Sequence, residues 1–148
     1  MNSDTVSVER LIDATPARIF AELADAGKHQ GFDGSGTVRG TKSPSRPLSL
    51  GTRFGMSMKM GVAYTTANTV VEYGQDMLIA WQTKGLGGLV GGRIWRYELT
   101  PTDGGTLVRE TWDVSKDRQK FILKHSSFPE QTRKNMEKSL DRLAKVVA

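Results

Sequence analysis

From Gly51 onward the hydrophobic pattern has a period of two residues, and this period recurs through most of the chain up to residue 114. The clearest stretch is 53–60, RFGMSMKM, in which every second residue is large and apolar. A period of two sends alternate side chains to opposite faces of a β-strand, so this stretch predicts a strand with one apolar face. A chain of this kind has to bury one face of a sheet against another element.

Further segments predict a whole set of strands. The tetrapeptide Thr102-Asp103-Gly104-Gly105 is typical of a hairpin turn, and Gly74-Gln75-Asp76 predicts another turn. Successive strands joined by such turns indicate an antiparallel sheet. The predicted strands lie at 4–12, near 36–42, and at 53–60, 62–73, 77–84, 93–100 and 106–114.

Two short helices are predicted directly after the first strand. Thr15 is a suitable N-cap, and Pro16 follows at the first helical position, where its missing N–H has no cost. Ile19, Phe20 and Leu23 then form one apolar face. A second short helix opens at Asp25 and ends near Gly31.

The C-terminus predicts one long amphipathic helix. Ser127 with Glu130 three residues later is typical of a capping box, and Pro129 falls in the first turn. Apolar residues then recur at spacings of four, three and four, which places them on one face of a helix. They are Met136, Leu140, Leu143 and Val147. Residues 117–124 predict an extra helical turn or two before this helix.

Together these elements predict an α+β fold in a single domain, residues 1–148. A curved antiparallel sheet of about seven strands wraps around the long C-terminal helix, with two short helices after the first strand. Since a strongly curved sheet rarely closes tightly on one helix, we expect a cavity between them.

The order and spacing of these segments resemble the START/polyketide-cyclase superfamily, whose helix-grip fold is also seen in the birch-pollen allergen. The resemblance spans nearly the whole chain and depends on several short segments in a fixed order, since no one of them is specific. They are Ile12-Asp13-Ala14-Thr15-Pro16, Ile19-Phe20, 68–73 (NTVVEY), 78–81 (LIAW), 95–99 (WRYEL), 103–106 (DGGT), 110–112 (ETW) and the terminal helix.

The resemblance implies a hydrophobic pocket but leaves the activity open. Binding of a small lipid-like or polyketide-like molecule is the leading hypothesis. A polyketide cyclase or dehydrase is the first alternative. The second is a basic interaction module, such as the toxin of a toxin–antitoxin pair.

Strand periodicity predicts which side chains line the pocket. The methionine row is suited to this role because flexible thioethers adapt to varied ligands better than they specify a tight core, although plain core packing is the alternative. Phenol and amide groups on the same faces would hold a polar end of the ligand. The predicted ligand-binding residues are Phe54, Met56, Met58, Met60, Tyr64, Asn68, Trp81, Trp95, Tyr97, Glu110, Trp112, Met136 and Leu140.

Among the residues predicted to face inward, Glu110 has the side chain best suited to acid/base chemistry. It falls between Val108 and Trp112, so a period of two places its carboxylate on the same inner face as these two residues. Arg10 has the inward phase on the first strand, and the two residues are predicted to pair across neighbouring strands, since a buried charge needs a partner. Glu110, Tyr97 and Tyr64 are the candidate acid/base groups for an enzyme.

Other classes of site lack support in the sequence. The chain has no cysteine, and His29 and His125 are predicted to lie in loops or at the surface, so neither a metal nor another cofactor is expected. The glycine-rich segment 85–92 lacks the Gly-Lys-Ser/Thr ending of a phosphate loop and is predicted to be a mobile rim.

Charge and hydropathy complete the expectations. No apolar run approaches the roughly 20 residues of a membrane span, and the N-terminus has no signal-peptide pattern, so a cytoplasmic protein is predicted. Residues 39–59 carry five bases and no acid, and 116–148 carry nine bases against four acids. Such clusters suit an acidic partner or nucleic acid, or they are simply solvated faces. Nucleic acid is disfavoured because no aromatic residues interleave with the bases.

Overall fold

The computed structural model describes residues 4–34, 38–41, 47–60, 62–85 and 88–148, with backbone only at some positions, Met60 among them. Within these ranges the strands are β1 (Thr5–Ile12), β2 (Val38–Thr41), β3 (Arg53–Met60), β4 (Val62–Gly74), β5 (Leu78–Gly85), β6 (Val90–Thr102) and β7 (Gly105–Asp113). The helices are α1 (Pro16–Leu23), a 3₁₀ helix (Ala26–Gly31), α2 (Lys120–Lys124) and α3 (Phe128–Val146).

The strands form one antiparallel sheet in the order β1-β7-β6-β5-β4-β3-β2. Hairpins join neighbouring strands from β3 to β7, and β1 adds to β7 at the edge, as predicted. The last hairpin depends on Gly105, which has φ +131° and whose hypothetical Cβ would lie 2.2 Å from the Ile12 carbonyl oxygen. The α+β helix-grip prediction is therefore confirmed.

Local signals place the short helices as predicted. The Thr15 hydroxyl accepts a hydrogen bond from the Arg18 N–H at 3.2 Å, and Pro16 begins α1. The Asp25 carboxylate caps the 3₁₀ helix by accepting from the Gly27 N–H at 2.9 Å. These caps satisfy N–H groups that have no partner inside the helix.

The predicted capping box at α3 is wrong. Ser127 occupies the N-cap position but makes no side-chain cap, and Glu130 pairs with Arg133 instead. The neighbouring Ser126 hydroxyl accepts from the Phe128 N–H at 3.1 Å and donates to the Leu123 carbonyl at 2.8 Å. The cap moves by one residue because Ser126 also ties α3 to the end of α2.

One apolar core lies between the inner face of the sheet, α1, the 3₁₀ helix and α3. The predicted stripe of α3 is confirmed, since Met136, Leu140, Leu143 and Val147 are all buried. The segment after the 3₁₀ helix also packs tightly on α3: the Gly34 N–H donates to the Ser139 hydroxyl at 2.7 Å. We call residues 25–34 the capping segment, because they cover the end of the sheet's inner face beside α3.

Candidate functional site

Register places the site residues in rows across the inner face. Trp81 lies opposite Trp95, and Trp95 lies opposite Trp112, so three tryptophans form one row across β5, β6 and β7. Two residues along, Ile79, Tyr97, Glu110 and Val8 form the next row. The juxtaposition of Tyr97 and Glu110 is thus a direct consequence of the β6–β7 register.

Glu110 is the unusual member of this core. It is only 3% exposed, and its Oε1 atom is buried without a hydrogen-bond partner among the described residues. Burial raises the pKa of the carboxyl to about 8, the Tyr97 hydroxyl opposes the rise as a hydrogen-bond donor, and the charge of Asp33 adds to it. At neutral pH Glu110 is therefore mostly a neutral carboxylic acid, which has an O–H to donate.

The predicted Arg10–Glu110 pair is wrong. Arg10 lies opposite Val108 in the register, and its guanidinium forms a salt bridge with Asp141 on α3. Its side chain keeps 45% of its exposure there. Because β1 is the edge strand of the sheet, a long side chain can bend around that edge to a solvated carboxylate instead of entering the core.

Tyr97 connects Glu110 to a cluster of aromatic rings. Burial, the charge of Glu110 and its hydrogen bond, and the charge of Asp33 raise the pKa of Tyr97 well above its usual value, so the phenol stays neutral. Its ring stacks on Trp81 with centroids 5.7 Å apart and meets Phe32 edge-on at 6.3 Å.

His29 completes this cluster, and its predicted loop or surface position is wrong. The side chain is 4% exposed, and its ring stacks on Trp81 at 4.7 Å between centroids. Nε2–H donates to the Leu23 carbonyl at 2.8 Å, and burial lowers the pKa of the imidazole. The capped 3₁₀ helix turns His29 and Phe32, three residues apart, toward the core, a spacing that could have indicated a shared face. His125 is exposed, as predicted.

The remaining predicted ligand residues have different environments. Phe54, Met56, Met136 and Leu140 are buried, and Trp95 and Met58 are half-buried. Asn68 is buried but fully engaged: its amide donates to the Phe54 carbonyl and Thr66 hydroxyl, both at 3.2 Å, and accepts from Thr83 at 2.7 Å. Tyr64 lies opposite Met58 and is 40% exposed, away from Glu110. The side chain of Met60 lies outside the described residues.

The expected space between sheet and α3 is partly filled by rings of the capping segment. Open depressions occur elsewhere on the described part of the chain. One, of about 830 Å³, follows β3, β4 and β5, and another, of about 400 Å³, lies between β1 and α3. Neither is lined by Glu110, Tyr97 or the tryptophan row. The capping segment lies over the neighbours of Glu110, since His29 stacks on Trp81 and Phe32 meets Tyr97 edge-on.

Two further features bear on the class of site. Within the described ranges, no group of three or more histidine, aspartate or glutamate side chains is placed to hold a metal ion. No helix in the described part of the chain is both long enough and apolar enough to cross a membrane.

Two of the nine bases in the C-terminal region 116–148 form salt bridges with described residues. Arg133 pairs with Glu130 and Glu137, and Lys124 pairs with Asp4. Of the other basic segment, residues 42–46 lie outside the described residues.

Comparison with known proteins gives one family. The sequence profile of the family described as "Polyketide cyclase / dehydrase and lipid transport" matches residues 3–148. A segment of 106 residues is 36% identical to the uncharacterised protein Rv0088 of Mycobacterium tuberculosis H37Rv, covering 69% of this chain and 44% of that protein. The chain thus spans less than half the length of this curated relative.

Solved structures share the fold at low sequence identity. Protein CV1439 from Chromobacterium violaceum has a TM-score of 0.74 at 16% identity, covering 97% of this chain and 96% of that one. The AHSA1-like protein from Aeromonas hydrophila has a TM-score of 0.70 at 17% identity, with 97% and 91% covered. DynU16, from the dynemicin biosynthetic locus, has a TM-score of 0.71 at 16% identity, with 98% and 47% covered.

Proposed function

The chain belongs to the polyketide cyclase/dehydrase and lipid transport family, and from this premise we propose that it binds a small, largely apolar molecule that carries one hydrogen-bond acceptor. The ligand would lie on the inner face of the sheet with its acceptor oxygen at Glu110. The observation that carries this proposal is the buried Oε1 atom of Glu110, which has no partner among the described residues.

An unpartnered polar atom in a core is costly, so its presence calls for a reason. With its pKa at about 8, Glu110 offers an O–H group at neutral pH. A ligand carbonyl or ether oxygen would accept this hydrogen bond without introducing a charge into the core. The neighbouring phenol of Tyr97 would supply a second polar contact.

The surroundings of Glu110 suit an apolar or aromatic ligand body. Trp81 and Trp112 are both buried and lie in the tryptophan row next to the row of Glu110, and Met56 is a buried thioether on β3. In this arrangement His29 and Phe32 stack where ligand rings would stack, and we propose that binding displaces them. The capping segment would then close over the ligand instead of over the sheet.

Paired probes test the proposal. The full chain would be titrated with 2-acetylnaphthalene, which has a carbonyl acceptor, and with naphthalene, which lacks one, while tryptophan fluorescence is followed. We expect saturable binding and a preference for the ketone of about fivefold to tenfold, the usual value of one buried hydrogen bond. Absence of saturable binding to either probe would overturn the proposal.

Two substitutions at one position provide the control. Glu110→Leu removes the donor and should abolish the preference for the ketone while keeping affinity for naphthalene. Glu110→Gln retains an N–H donor of similar size and should keep part of the preference. Equal preference in the parent and the leucine variant would show that Glu110 does not contact the ligand.

A second candidate function is an enzyme of the cyclase or dehydrase type. It is favoured by one observation: a carboxyl with a pKa of about 8 beside a phenol can both donate and accept a proton near neutral pH. The test is turnover of a β-diketone or polyketide-type substrate, with Glu110→Gln expected to abolish it and to leave binding in place. Unchanged turnover in that variant would exclude Glu110 as the acid/base group.

A further inference from the structure

The end of the molecule formed by α2 and the start of β6 exposes large apolar side chains. Phe121 and Ile122 are adjacent on α2 and are 70% and 72% exposed, and Leu89 is 71% exposed. Such exposure means that these side chains project into solvent and do not lie in a groove. We call these three residues the apolar tip.

Hydrogen bonds hold the two parts of the tip together. The Arg118 N–H donates to the Gly91 carbonyl at 2.9 Å, and the Gly91 N–H donates to the Gln119 side chain at 2.8 Å. The Gln119 amide also donates to the Leu89 carbonyl at 3.4 Å. The segment that carries Leu89 is therefore fixed beside the first turn of α2.

Three bases lie in the segment that leads into the tip, and one of them contacts it. Lys116, Arg118 and Lys120 form no salt bridge with another residue in the described ranges, and Lys120 lies 5.7 Å from the ring centre of Phe121. The nearby Asp117 is buried and paired with Arg93, so it does not neutralise this rim. We call these three bases the basic rim.

We propose that the apolar tip and basic rim bind the surface of an anionic lipid membrane. Projecting apolar side chains insert at the headgroup boundary, and a ring of lysine and arginine is attracted to anionic headgroups. This charge complementarity favours a membrane over an apolar partner surface, beside which the three cations would lose their hydration without gaining counter-charges. The site is separate from Glu110 and acts without it.

The test is cosedimentation of the full chain with vesicles. Vesicles of equimolar phosphatidylglycerol and phosphatidylcholine should bind the protein, vesicles of phosphatidylcholine alone should bind it much less, and added salt should weaken binding. Phe121→Ser with Ile122→Ser should reduce binding to the anionic vesicles about tenfold or more, since both side chains lose their burial in lipid. Lys116→Gln, Arg118→Gln and Lys120→Gln together should remove the dependence on anionic lipid.

Matched variants elsewhere on the surface distinguish binding through this site from non-specific hydrophobic adsorption and from a general effect of net charge. Met77→Ser with Leu50→Ser removes two side chains that are 63% and 65% exposed outside the tip. Lys134→Gln, Lys138→Gln and Lys145→Gln removes three exposed bases from α3. Both controls should bind vesicles as the parent does. The proposal is overturned if the parent protein does not bind anionic vesicles, or if the control variants lose binding as strongly as the variants of the tip and rim. It is also overturned if the tip binds an acidic protein and no vesicle.

Discussion

At the scale of single residues, Glu110 and His29 are buried titratable side chains whose pKa values burial shifts in opposite directions. Burial raises the pKa of Glu110 to about 8 and lowers that of His29 below 6.5. Both groups are thus uncharged at neutral pH, and they lie near the same aromatic side chains. The core around Tyr97 and Trp81 tolerates polar atoms but not charge.

The first prediction is a fall in stability with rising pH that depends on Glu110. Between the unfolded value of 4.5 and about 8, the folded protein keeps a proton that the unfolded chain releases, so stability is lost as pH rises through this window. His29 acts in the opposite direction, because the stability that the protein gains from burying neutral His29 is lost as pH falls through 6.5 and below. At pH 6.5 the unfolded His29 is still half protonated, and its opposing effect fades as pH rises, so the net fall should be steepest near pH 7 at about 1 kcal/mol per pH unit.

Urea unfolding at several pH values in this window measures the effect. Glu110→Gln should flatten the dependence. Tyr97→Phe removes a hydrogen bond that lowers the pKa of Glu110, so it should extend the fall to higher pH. A parent protein with constant stability from pH 6.5 to 8 would show that the Glu110 carboxyl reaches water.

At the scale of elements, the sequence predicts what local rules control. Strand alternation, the Thr15 cap, the turn at Gly104-Gly105 and the apolar stripe of α3 are all present as predicted. Each depends on neighbours within a few residues or on one repeating period.

Three predictions failed, two of them because contacts far along the chain decide the outcome. Arg10 binds Asp141, which is 131 residues away in the chain. Ser126 replaces Ser127 as the cap because it also bonds to α2. His29 enters the core because Trp81 and the Leu23 carbonyl are placed to receive it. Asp141 and Trp81 are brought to Arg10 and His29 by the assembled fold, so no local pattern could have identified these two partners. The partners of Ser126 lie within three residues of it, so that failure was a choice between two adjacent serines.

A prediction for the capping segment concerns its contact with α3. A Cβ at Gly34 would lie 2.2 Å from the Asn135 carbonyl oxygen and 2.7 Å from the Ser139 nitrogen, both parts of the helix backbone. Gly34→Ala should therefore push the segment away and lower the free energy of unfolding by about 1–3 kcal/mol. Gly31→Ala is the matched control, since its Cβ would meet nothing within 4 Å, and it should change stability by less than about 0.5 kcal/mol.

Chemical denaturation compares the two variants, and an environment-sensitive apolar dye reports on access to the core. Gly34→Ala should bind more dye than the parent because the rings of His29 and Phe32 move with the segment. Equal stability and equal dye binding in both alanine variants would show that the position of the capping segment does not depend on its contact with α3.

At the scale of the whole molecule, the two sides of the sheet are covered differently. The helix α3 packs against strands β1 and β7. At the other edge, β2 is a four-residue strand that pairs with β3. On that side the inner face is covered by the capping segment, whose 3₁₀ helix lies against β2 and whose His29 ring meets Phe54 of β3 edge-on, with centroids 5.8 Å apart. If the proposed ligand binds at Glu110, we expect it to enter from the β2–β3 side, where the sheet ends in a short edge strand and not against α3.

Amide hydrogen exchange tests this direction of opening. Backbone amides of the capping segment and β3 should exchange about tenfold or more faster than those of β6 and β7, because local opening follows the weaker contacts. Saturation with 2-acetylnaphthalene should slow exchange in the capping segment and leave β1 little changed, since binding to the closed form stabilises whatever closes over the ligand. If α3 opens first, or if the ligand protects β1 and α3 alone, the entrance lies at the other edge of the sheet, and the rings of His29 and Phe32 are permanent parts of the core.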